Sequence, residues 1–340
     1  MNNDDEEPVR LVLHELGHEA IGTNPIHRSE LFNHDWSDIF SKFFIKMKRN
    51  NIKKKVPFSL NFDHVASIQV SGVVDVRISY SCHCIIALEA PYFHCFDLTT
   101  HQKLFSFSSA ATYFSYFDIE RNYDGVSNDA LVYTSVYGIF KHDLTKIMKC
   151  QNANDKIWIR EEYNDSACGI ACSSHVDHVS KNVIFVAIDP EPYIAVLMAS
   201  TGELLYKIDQ LYLKPSGFCG IAVNDTQTEL FIAQASECMQ KIKRHSQQVN
   251  QWTFQCLFGK GSVKKVYGLT IDHASHHIIV CDRSSHGVGV FTEDGVFVKR
   301  FGSFGTGPNE FKNPTGICLD EQTGLLYIVD VNNDRIQIFK

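Results

Sequence analysis

From about residue 56 to its end the chain is a succession of short apolar runs broken by polar turns, in a fixed order. Residues 312–340 read KNPTGICLDEQTGLLYIVDVNNDRIQIFK. An apolar run (GICLD) leads through a Gly-containing turn to a second (LLYIVD), and the polar turn VNND leads to a third (RIQIF). Runs this short, rich in β-branched and aromatic residues and bounded by Gly, Asn and Asp, predict strands. The same plan recurs in 268–291, 220–243 and 169–197, and in weaker form from Phe117 and from Asp75.

The glycines that open the clearest copies, Gly169, Gly220, Gly268 and Gly316, are 51, 48 and 48 residues apart. A fourth strand follows a further turn, as KLFSF, LLYKI and VFVKRF do after TTHQ, STGE and TEDG. Six units of this period, each of four strands, predict an all-β, six-bladed β-propeller over 56–340. The last unit ends at Lys340 after its third strand. Closing the ring requires a strand from before the first unit, and 56–62 (VPFSLNF) and 65–70 (VASIQV) both have the pattern. Closure removes exposed sheet edges.

The final unit closely resembles the NHL repeat. The matching residues are Gly302, Gly305, Gly307, Phe311, Pro314, Gly316, Asp320, Tyr327, Asp330, Asn333, Arg335, Ile336 and Phe339. The unit from Gly268 matches through Asp272, Asp282 and Phe291. The resemblance covers about four-fifths of the chain and implies four-stranded NHL-type blades. Asp272 and Asp320 follow a strand and are expected to accept hydrogen bonds from turn amides. Pro314 and Gly316 are expected to set the start of the innermost strand, and Asp330 and Arg335 to bracket the turn between strands two and three.

Propellers similar to these bind proteins, bind RNA or, in peptide-amidating lyases, hold a catalytic metal. The six predicted innermost strands, DVRIS, FDIER, GIACS, GIAVN, GLTID and GICLD, contain no histidine. His175 and His178 fall in one connection from first to second strand, and His273, His276 and His277 in another; solvated loop histidines are the expectation for all five. The chain has net charge −7, which disfavours a general attraction to nucleic acid. Eleven cysteines, an odd number without a secretory signal, predict reduced thiols. In the cluster Cys82-His83-Cys84 with His94-Cys95, strand alternation would separate His83 from its neighbours, so no zinc site is expected there. No G-x-S-x-G, P-loop or Rossmann motif is present.

Residues 1–55 lie before the repeats, and two helices are expected there. One spans about 9–22. The other follows Asp35, with Trp36, Ile39, Phe40, Phe43, Phe44 and Met47 on one face and a basic end. The first contains His14-Glu15-Leu16-Gly17-His18, the H-E-x-x-H pattern in which two histidines bind zinc and the glutamate is the base. The metzincin extension is missing, since Ile21 and Asn24 stand where glycine and histidine would be. A zinc hydrolase using His14 and His18 is therefore kept as an alternative only.

The reading with most support is a non-enzymatic, monomeric binding propeller without a cofactor, its partner a protein. Tyr92, Phe93, Tyr137 and Tyr193 fall at similar places in the turns between second and third strands, and Arg283, Asn332, Asn333 and Arg335 occupy the same turns further on. Aromatics and arginine are favoured interface anchors. Many propellers similar to this one recruit substrates for ubiquitin ligases, which implies that pathway here, although no C-x-x-C pairs supply a RING domain. RNA binding is a second alternative. No run of about 18 apolar residues predicts a membrane span. The expected compartment is the cytoplasm, with 46–55 a candidate nuclear-import stretch.

Overall fold

A computed structural model describes residues 55–340, except 111–115, 164–166, 174–181, 190–192, 210, 213–217, 235–237 and 249. The described residues belong to one compact unit, Lys55–Lys340. The two expected N-terminal helices, with His14 and His18, lie outside them, as do His175 and His178.

Six four-stranded antiparallel sheets follow one another along the chain. Blade 1 consists of Asp75–Ser79, Cys84–Glu89, Tyr92–Asp97 and Lys103–Ser108. Blade 2 consists of Phe117–Glu120, Ala130–Ser135, Gly138–Asp143 and Trp158–Arg160. Blade 3 consists of Ala167–Ser173, Val183–Ile188, Tyr193–Met198 and Leu204–Ile208. Blade 4 consists of Phe218–Val223, Glu229–Gln234, Met239–Arg244 and Trp252–Phe258. Blade 5 consists of Val266–Asp272, His277–Asp282, Gly287–Thr292 and Phe297–Phe301. Blade 6 takes Pro314–Asp320, Leu325–Asp330 and Arg335–Phe339 from the end of the chain, and its outermost strand is His64–Gln69. Of the two closing candidates, the second is the strand, with Ile68 opposite Ile336 and Ser67 opposite Gln337. The first donates Phe58 and Phe62 to the core between blades 5 and 6.

The core explains why the second and third strands read as continuous apolar runs rather than alternating ones. Buried side chains among the described residues fall into six clusters, each shared by two neighbouring blades. A middle strand therefore buries both faces, and Ala130–Ser135 is buried at every position. Outermost strands carry the exposed positions, as in Lys103–Ser108.

The repeat glycines sit where inner strands of adjacent blades approach around the channel. A methyl group on Gly268 would run into the carbonyl of Thr315 in blade 6, and one on Gly316 would lie 2.5 Å from the Asp75 backbone in blade 1. At Gly220 the nearest atom is the Tyr267 carbonyl oxygen at 3.0 Å. Gly169 is looser, with Ala187 Cβ at 3.5 Å. The last unit's glycine thus packs on the first unit, which is ring closure seen from the inside.

Two local features differ from expectation. Cys82 and His83 form a turn, not a strand, and His83 has φ +50°; no disulfide is recorded among the ten described cysteines. The link from third to fourth strand in blade 2 contains a helix, Leu144–Cys150, capped by Asp143 accepting from the Lys146 amide at 3.0 Å. Asp followed by Leu-Thr-Lys-Ile-Met-Lys is a start signal read after the fact.

Candidate functional site

Each inner strand runs from the connection between blades to the turn before its own second strand. The upper rim of the ring is therefore built from blade-to-blade connections and from the turns joining second to third strands. In blade 6 this rim is pinned by Asp330, which is fully buried. Its carboxylate accepts from the Lys312 amide (2.6 Å), Asn333 Nδ2 (2.8 Å) and Arg335 Nε (2.9 Å). Arg335 also donates to the carbonyls of Gly307 (2.8 Å) and Glu310 (3.0 Å), and Asn333 to that of Gly305 (2.8 Å). These two residues clamp the glycine-rich connection 302–311 onto the blade. Asp282 does the equivalent in blade 5, accepting from the amides of Lys264 and Lys265, both at 3.0 Å. On the opposite rim, Asp272 and Asp320 cap the turns after their strands. Asp272 accepts from the amides of Ala274 and Ser275 at 3.0 and 3.2 Å, and Asp320 from that of Gln322 at 2.9 Å.

The residues singled out in the sequence separate here. Tyr92 (47% exposed) and Tyr137 (63% exposed) project from the upper rim of blades 1 and 2. Phe93 is fully buried between those blades and is not on the rim. Tyr92 and Phe93 are consecutive in one strand, so only one of them can face out. Tyr193 is half-buried, with Lys207 Nζ 4.0 Å from its ring centroid. Arg283 stacks over Tyr267 at 4.6 Å, and Asn332 is exposed. Asn333 and Arg335 have their donors engaged as described.

Sequence reading passed over the cations in the connections between blades. Lys264 and Lys265 reach the rim from Gly259–Lys265, and Lys265 Nζ is 5.4 Å from the Tyr267 ring, on which Arg283 also lies. In the next connection Phe304 is 64% exposed, with Lys312 Nζ at 5.8 Å and the His286 ring at 4.9 Å. The run KGSVKKVYG carried this signal, a lysine pair followed by tyrosine just before an inner strand. From blade 5 through 6 and 1 to 2, the upper rim is an arc of aromatic tips and cations.

Along the inner strands, charged side chains pair across blades. Arg77 donates to Asp75 (2.7 Å) and Asp118 (3.2 Å), and Asp118 accepts from the Cys172 amide (2.7 Å), joining the inner strands of blades 1, 2 and 3. Burial pushes the Asp75 carboxyl up, opposed by Arg77, and burial pushes the Cys318 thiol up to about 12. A cleft of about 640 Å³ lies beside the closing strand, lined by residues including Ser67, Gln69, Glu89, His94, His101 and Lys103. Its buried imidazole is paired on both sides, His94 Nε2 with Glu89 (2.5 Å) and Nδ1 with Ser106 (2.7 Å).

A family model described as a 6-bladed beta-propeller (DUF5128) matches residues 240–340. No curated protein matches the chain in sequence. Among solved structures, an auxiliary nutrient binding protein from Bacteroides ovatus is 15% identical with TM-score 0.60, covering 84% of this chain and 75% of that one. A protein of the same description from Bacteroides thetaiotaomicron is 13% identical with TM-score 0.58, covering 80% and 69%. The β-propeller domain of Cps50 (Swd1) from Myceliophteria thermophila is 11% identical with TM-score 0.53, covering 81% and 98%. At these identities the likeness is one of fold. The chain is a six-bladed β-propeller, with a blade 6 built from both ends of the propeller sequence.

Proposed function

We propose that the protein is a non-enzymatic binding module that recognises a protein partner on its upper rim. One observation carries the reading: exposed Tyr92, Tyr137 and Phe304 share that rim with Lys264, Lys265, Arg283 and Lys312. Aromatics and arginine anchor protein interfaces, and the cations favour a partner segment rich in Asp and Glu. The NHL resemblance adds recruitment of substrates in a ubiquitin-ligase pathway as the cellular setting, in the cytoplasm. The nutrient-binding description of two similar structures agrees with a binding role in general.

The test is site-specific photo-crosslinking in cells from positions 92, 137 and 304, with position 205 on an outer strand as control. The same protein should crosslink from the three rim positions and not from 205, and Arg283→Glu should weaken its binding at least about tenfold. Crosslinks confined to position 205 would sink the reading. Lys265 and Arg283, 5.4 and 4.6 Å from the Tyr267 ring, favour a second reading, a single-stranded RNA whose phosphates meet these cations while a base stacks on an exposed rim aromatic such as Tyr137. Nuclease-sensitive crosslinks and steep loss of binding with salt would mark that case.

A further inference from the structure

The lower rim, formed by the turns from first to second strands, has a different chemistry. Asp225, His273 and Glu321 lie just beyond the inner strands of blades 4, 5 and 6. One ligand atom from each converges, all within 4.8 Å of one another. His273 Nε2 is 3.5 Å from Asp225 Oδ1 and 3.9 Å from Glu321 Oε1. His273 was expected to be a solvated loop residue; its side chain is only 17% exposed, and that of Glu321 14%.

The cradle already holds a cation. Lys55 Nζ is 2.7 Å from Asp225 and 2.9 Å from Glu321 Oε1, and the Val56 amide fastens this segment to the Glu321 carbonyl at 2.8 Å. Arg121 pairs with the other Glu321 oxygen at 3.1 Å. Two features go beyond what a lysine needs. An ammonium among carboxylates does not call for an imidazole nitrogen drawn in from a third blade. Glu321 Oε1, aimed into the cradle, is buried and receives no aligned hydrogen bond despite its closeness to Lys55.

We propose that Asp225, His273 and Glu321 form a site for one divalent transition-metal ion, with Lys55 as its tethered competitor. One imidazole nitrogen and two carboxylate oxygens suit zinc and its first-row neighbours. Three protein ligands leave coordination positions open toward the channel mouth. The metal takes the place of the ammonium, so both carboxylates stay compensated and Lys55 turns out to solvent. The site is independent of the upper-rim reading.

The experiment uses the full chain, stripped with chelator and titrated with Zn²⁺ by calorimetry and with Co²⁺ by visible absorption. One equivalent should bind. His273→Ala and Asp225→Asn should each weaken binding about 100-fold or more, judged against the smaller losses seen when only a supporting residue is removed. Lys55→Ala should tighten it about tenfold, because an exposed ion pair of ordinary strength leaves the open cradle a minor population. His14→Ala/His18→Ala should leave it unchanged. The proposal is overturned if no metal binds, or if binding survives His273→Ala. It fails equally if binding disappears with the His14/His18 pair, or if Lys55→Ala fails to tighten it. Lys55 is on the surface, so its variant remains informative even where a histidine substitution disturbs the fold.

Discussion

At the scale of single residues, charge and burial separate structural roles from binding roles. Arg335 looked like a rim cation, yet it is the counter-ion of a fully buried carboxylate. Removing one partner of a buried pair leaves an uncompensated charge, so Arg335→Ala should cost about 3–5 kcal/mol in urea unfolding. Arg283→Glu, on the rim surface, should stay within about 0.5 kcal/mol while affecting binding. His142 is fully buried, its Nδ1–H donating to the Asp155 carbonyl at 3.0 Å and its ring stacked on Tyr133. Burial holds its pKa below 6.5, so the folded state resists the proton that the unfolded chain accepts. Stability is then complete above pH 6.5 and falls as the pH drops below it, by up to about 1.4 kcal/mol per unit. Melting curves between pH 7.5 and 5.5 should show this slope, and His142→Gln should make it shallower, the remainder coming from His64, His101 and His273, whose pKa values burial also lowers.

At the scale of elements, the spacing of glycines and the order of apolar runs were enough to place all six inner strands. The reason is physical: both depend on local geometry that repeats. Gly268→Ala should destabilise by about 1–3 kcal/mol, because its methyl meets the backbone of the next blade, whereas Gly169→Ala should change stability by less than about 0.5 kcal/mol. Thermal unfolding of the two variants side by side checks the contrast. What stayed hidden depends on contacts between distant turns. Asp225, His273 and Glu321 are each an ordinary turn residue in sequence, and Lys55 ends a basic run that looks solvated; only the packing of blades 4, 5 and 6, with the segment at Val56 fastened to Glu321, brings them together. Phe93 was misplaced for a smaller reason, since a one-residue step along a strand exchanges the rim for the core. The approach of Lys265 to Tyr267 went unseen because that cation lies in a connection between units rather than in the repeat itself.

At the scale of the whole molecule, the two rims are chemically unlike. The upper carries aromatics and cations between blades 5 and 2, and the lower gathers acids and an imidazole around the channel mouth. An acidic partner should therefore associate faster at low salt, with the on-rate falling from 50 to 200 mM salt and the off-rate nearly constant. Stopped-flow measurements with the crosslinked partner would read this directly.

The strand His64–Gln69 has a consequence in time as well as in space. Its pairing partner Arg335–Phe339 is made only after the strands of all the other blades. At ordinary elongation speeds of about 5–20 residues per second, His64–Gln69 waits on the order of tens of seconds with its backbone donors and acceptors unmatched. During synthesis the molecule is an open arc with two free edges, each able to pair with another nascent chain. The arrival of Arg335–Phe339 decides whether each arc closes on itself, and a slowdown of translation before it lengthens the interval in which an arc can close on a neighbour instead.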